Sequence, residues 1–134
     1  MILAIAFYFM AATHTFNLPV GLIDSLCYVE SKHDITKIHK DDGTSDSLGV
    51  CQVKWTTAHD LGFNGTPEQL MNPQTNIYYA AKYLSHQIAR YHGDITKGVI
   101  AYNRGHAGRL TVTSYSSKVF KQWQSQRETV YADN

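Results

Sequence analysis

The element that constrains this fold most opens with an asparagine-proline pair. Asn72 suits a helix N-cap, and Pro73 suits the first helical position, where a missing N–H costs nothing. Ile77, Ala80, Ala81, Leu84, Ile88 and Tyr91 then recur at helical spacing and form one apolar stripe, which Gly93 ends. Beyond it, Asp94 caps a helix that carries Val99 to Asn103. Arg104-Gly105-His106-Ala107-Gly108 reads as a glycine-bearing turn. A last helix is predicted from Ser114 to about Gln126, with Tyr115, Val119 and Trp123 facing inward.

Upstream, residues 2–16 read as a first buried helix. Its strongly apolar part, Ile2 to Ala12, is 11 residues, against the ~20 needed to span a bilayer. No charge precedes Asp24, so the basic start of a secretory signal is missing. An atypical or uncleaved signal is the alternative. Pro19 suits the first turn of a second helix running to about Ser31, on which Leu22, Ile23, Leu26 and Cys27 recur at helical spacing. Residues 32–48 are polar and turn-rich, which predicts a loop or small irregular hairpin. Trp55 to Leu61 predicts a short helix stopped by Gly62, and Thr66-Pro67 caps another. The expected fold is mainly α, of the α+β kind. It is one domain over 1–134, with six to seven helices and a small polar hairpin region.

At 43% hydrophobic and 17% charged residues, the chain is a globular domain rather than a disordered one. A formal net charge of +1 argues against nucleic acid as partner. Cys27 and Cys51 are too few for a disulfide scaffold and sit in apolar contexts. Buried free thiols are the expectation, with pairing open if they lie close together. The seven histidines show no ligand spacing, so neither a metal nor another cofactor is expected.

Glu30 stands out chemically. It follows Ile23 by seven residues, Leu26 by four and Cys27 by three, which puts a carboxyl on an apolar helical stripe. Desolvation disfavours the charged form and raises a carboxyl pKa, which is what a proton donor near neutral pH requires. The plain alternative is a helix-end glutamate that reaches solvent.

Four short segments occur in order: Glu30-Ser31, Gly49-Val50-Cys51-Gln52, Asn72-Pro73 with Asn76-Ile77, and Ala101-Tyr102-Asn103. With them the chain resembles the lytic transglycosylases, the soluble-lytic-transglycosylase domain of the lysozyme-like superfamily, from about Leu18 to Gly108. The resemblance implies that Glu30 is the single catalytic acid/base. It implies that Ser31, Ser47, Gln52, Tyr102 and Asn103 line the glycan cleft, with the Tyr102 hydroxyl directed at the catalytic carboxyl. Asn72, Pro73, Asn76 and Ile77 would be architectural. Val50-Cys51 stands where the family usually has Leu-Met, and Arg104 follows Asn103 where it usually has alanine, which puts a cation beside the cleft.

The stretch from Asp42 to Gly49 looks like the active-site hairpin of animal-type lysozymes, with Asp46 nearest to their second carboxylate. With Glu30 alone, the implied product is a 1,6-anhydro sugar. With Asp46 as partner, water could be the acceptor. Asp46 as an ordinary turn residue is the third reading. A catalytically silent glycan-binding or structural module is a further alternative.

The implied partner is the glycan strand of peptidoglycan, with no nucleic acid and no stable membrane span. The late basic residues Arg104, Arg109, Lys118, Lys121 and Arg127 form either a solvated face or a mild attraction to that anionic polymer. Action on the cell wall follows, in the periplasm or from a virion. Assembly with a virion or with a secretion or conjugation machine is implied. The missing signal and two expected free thiols favour the phage setting.

Overall fold

A computed structural model describes residues 2–41 and 45–132. Asp42, Gly43 and Thr44, the start of the stretch likened above to a lysozyme hairpin, lie outside the described residues. In chain order the elements are α1 (Ile2–Thr15), α2 (Leu22–Ser31), β1 (Ile38–His39), β2 (Ser47–Leu48), β3 (Val53–Lys54), α3 (Trp55–Asp60), α4 (Pro67–Leu70), α5 (Pro73–Arg90), α6 (Ile95–Arg104) and α7 (Ser114–Ala132). The mainly helical, lysozyme-like expectation holds, with seven helices and one small sheet among the described residues.

Helix α5 is the axis of the fold. The Asn72 side chain accepts from the Thr75 N–H, and Pro73 follows at the first helical position. Ile77, Ala80, Ala81 and Leu84 are fully buried, while Ile88 and Tyr91 are half-buried. Helices α1 and α6 pack along α5, and α7 lies across α2. The α5–α6 approach is close because Gly98 faces Ile88. A Cβ at Gly98 would stand 3.0 Å from the Ile88 backbone.

Helix α2 starts later than its proline suggests. Pro19 lies in the preceding turn, where its carbonyl accepts from the Leu22 N–H, and Gly21 caps the helix at φ 84°. The helix ends when Lys32 and His33 turn left-handed. His33 Nε2 then lies 2.8 Å from Asp24 Oδ1, and its ring packs against those of Phe9 and Tyr28. The hydrogen bond that His33 donates to the Asp24 carboxylate is the main cause that raises the His33 pKa above its ordinary value.

The polar segment supplies β1 and β2, which join β3 in a three-stranded antiparallel sheet in the order β1-β2-β3, with Ile38 opposite Leu48 and Ser47 opposite Lys54. Each strand is two residues long, too short for an alternation pattern. Helix α7 extends beyond the expected end near Gln126 to Ala132. No described helix is long and apolar enough to cross a membrane.

The cysteines correct the sequence reading. Cys27 and Cys51 form a disulfide, with Cα atoms 4.4 Å apart. The turn between β2 and β3 folds back onto α2 and brings the two side chains together in the core. Free thiols therefore no longer count toward a phage setting.

Candidate active site

The site is assembled around the turn 49–52, which three sets of hydrogen bonds fix. Asn76, fully buried on α5, donates from Nδ2 to the carbonyls of Leu48 (2.8 Å) and Leu70 (2.9 Å), and its Oδ1 accepts from the Cys51 N–H (2.8 Å). Ser31 Oγ, also buried, donates to the Val50 carbonyl at 2.6 Å. Gln52, at φ 54°, donates from Nε2 to the carbonyls of Gly49 (2.8 Å) and Lys37 (3.0 Å). Gly49 is required twice over. Its φ is 77°, and a Cβ would stand 2.7 Å from Asn76 Nδ2. Among the described residues, no buried side-chain nitrogen or oxygen lacks a partner.

Glu30 sits in the last turn of α2 at the wall of a cleft of about 310 Å³. Ser47, Gln52, Tyr83, Tyr102, Asn103 and Arg104 also line it. Burial raises the Glu30 pKa above its ordinary value. A hydrogen bond from Tyr115 and the charge of Lys37 work against that rise without cancelling it. Tyr115 Oη donates to Glu30 Oε2 at 2.7 Å, and Lys37 Nζ donates to the Glu30 carbonyl at 2.6 Å. Tyr115 thus holds the Glu30 carboxyl and Lys37 its main chain. Glu30 is the one carboxylate among the described residues that line the cleft.

The cleft brings together most of the residues picked from sequence. Glu30, Ser47, Gln52, Tyr102 and Asn103 all line it. Ser31 is not among the lining residues, and its hydroxyl joins α2 to the turn instead. Asp46 also stands apart from the lining, accepting from the Asp41 N–H at 3.1 Å and pairing with Lys40 at 3.2 Å. Those two donors, the Asp41 N–H first, hold its pKa below the ordinary carboxylate value. No group of three or more potential metal ligands occurs among the described residues.

The tyrosines correct one expectation. Tyr102 does not direct its hydroxyl to Glu30; it donates to the Cys51 carbonyl at 2.7 Å. The Glu30 partner is Tyr115, which sequence placed only as an inward residue of the last helix. Both phenols lose solvent, and the nearby Glu30 charge adds to that effect, so both pKa values lie well above the ordinary phenol. Both are therefore neutral hydrogen-bond donors at neutral pH.

Residues 7–126 match the family described as the transglycosylase SLT domain. Over 105 residues the chain is 30% identical to peptidoglycan transglycosylase gp16 of Escherichia phage T7. That match covers 76% of this chain but 8% of the phage protein, so the chain spans a small part of its relative's length.

Proposed function

The chain belongs to the transglycosylase SLT domain family, and from that membership we propose that it cleaves the MurNAc–GlcNAc β-1,4 bond of peptidoglycan, with Glu30 as both acid and base. The observation that carries this reading is the half-buried Glu30 carboxyl, held by Tyr115 in a cleft with polar walls. Its raised pKa favours the protonated form that the first step needs.

In that step Glu30 gives its proton to the glycosidic oxygen, and the bond from C1 to that oxygen breaks. The Glu30 carboxylate then takes the proton of the C6 hydroxyl on the same MurNAc unit. O6 closes onto C1, and a 1,6-anhydro end forms with no water consumed. Tyr115 stabilises the transient carboxylate by its hydrogen bond. Gln52, Tyr102 and Asn103 hold the sugars. A hydrolytic route would recruit Asp46 as a second carboxylate, and the bonds from Lys40 and the Asp41 N–H favour the single-acid route over it.

The phage relative supports a wall-opening role delivered by a virion, and a secretion or conjugation machine offers an equivalent setting. Release of soluble fragments from purified peptidoglycan tests the reading. Wild type should release them, and Glu30→Gln should be at least about a hundredfold slower. Equal binding of glycan by both proteins with no release by either would favour the silent binding module.

A further inference from the structure

Arg104 ends α6 and lines the cleft beside Asn103. Hydrogen bonds anchor the turn that follows it. Arg90 Nη1 donates to the Gly105 carbonyl at 2.9 Å, the Tyr91 hydroxyl accepts from the Ala107 N–H at 2.7 Å, and Lys97 Nζ reaches the Gly108 carbonyl at 3.3 Å. Those three side chains hold the turn 105–108. The Arg104 guanidinium itself makes no hydrogen bond or ion pair among the described residues, and the residue is exposed. The other cation at the cleft, Lys54, already pairs with Asp41 at 2.8 Å.

A solvated helix-end arginine would sit well with the carbonyl end of α6 and would need no ligand. Its place in the lining argues for more. A β-1,4 amino-sugar backbone is itself uncharged. Negative charge enters peptidoglycan only on the substituent of each MurNAc unit, as carboxylates of the peptide stem or as the lactyl carboxylate once the stem is removed. A free guanidinium presents a planar fork that matches a carboxylate. Resting on the peptidoglycan reading above, we infer that Arg104 is a specificity-determining residue that binds a carboxylate carried by the MurNAc substituent. The cleft thereby selects peptidoglycan over uncharged amino-sugar polymers.

The test is calorimetric binding of three glycans: stem-bearing strands, strands stripped of stems by an amidase, and chitohexaose. Wild type, Arg104→Ala and Arg104→Lys are compared, all carrying Glu30→Gln so that nothing is cut. The expected result is that Arg104→Ala lowers the preference for a carboxylate-bearing strand over chitohexaose by about fivefold. Arg104→Lys should restore part of it. An effect on stem-bearing strands alone assigns the stem carboxylate, and an effect on stripped strands alone assigns the lactyl one. An unchanged preference ratio, or equal losses on all three glycans, overturns the inference. Fragment release by the Glu30-containing protein is scored separately. Release with an Arg104-independent ratio fails this inference alone. An Arg104-dependent ratio without release fails the cleavage reading alone.

Discussion

The Tyr115 hydroxyl donates to Glu30 Oε2 across 85 residues of sequence, joining the start of α7 to the end of α2. That bond lowers the Glu30 pKa against the larger rise caused by burial. Tyr115→Phe should therefore raise the Glu30 pKa further. If protonated Glu30 starts the reaction, activity is lost as pH climbs through its pKa. The basic limb of the kcat/KM profile should then move to higher pH in the variant. The maximal kcat should fall by about tenfold, because the carboxylate formed in the first step loses a donor. A pH–rate series on both proteins checks it, and an unmoved basic limb would remove Tyr115 from this role.

Burial of Glu30 has a consequence for stability. A carboxyl whose folded pKa is raised holds more protons folded than unfolded. Its contribution is therefore lost as pH rises from the ordinary carboxyl value through the folded one. Glu30→Gln removes the ionisation while keeping an oxygen for Tyr115. Its Tm should exceed that of wild type by about 3 °C at pH 7 and by less at pH 4. Calorimetry at the two pH values reads the difference, and a variant less stable at both would contradict it.

Asn76 makes three buried hydrogen bonds that hold the turn 49–52 to α5. Asn76→Ala would leave the Cys51 N–H and two carbonyls without that partner. The expected cost is about 3 kcal/mol in urea unfolding. Activity should drop with it, since Gln52 stands on the same turn. A loss below about 1 kcal/mol would mean that water replaces the amide at little cost.

The Cys27–Cys51 bond closes a loop across 24 residues. Reduction, or Cys27→Ala with Cys51→Ala, should lower stability by about 3 kcal/mol. The buried Ser31 and Asn76 contacts would still hold the turn, so the reduced protein should remain folded at 25 °C. Far-ultraviolet circular dichroism with and without reductant measures this.

What sequence could and could not reveal has physical causes. Helix α5 was legible because its cap, proline and stripe are local signals that agree. Glu30 was legible because its helical spacing from Ile23, Leu26 and Cys27 and the four segments in order point to the same residue. The two-residue strands were not, since a period of two needs a longer run. Tyr115 reads as core by its spacing, and only the packing of α7 on α2 brings it to Glu30. The disulfide was hidden for the same reason. Whether Cys27 meets Cys51 depends on how the turn 49–52 folds back, and the bonds from Asn76 and Ser31 that set this come from distant segments. Asp46 fits a hairpin pattern in sequence, yet its side chain is committed to Lys40 and the Asp41 N–H.

Mass spectrometry of the soluble fragments from purified peptidoglycan tests the central claim most directly. The single-acid route predicts fragments ending in 1,6-anhydro-MurNAc, one water lighter than hydrolytic ones, from wild type and none from Glu30→Gln. Fragments with reducing MurNAc ends would contradict that route and move Asp46 to the centre of the chemistry.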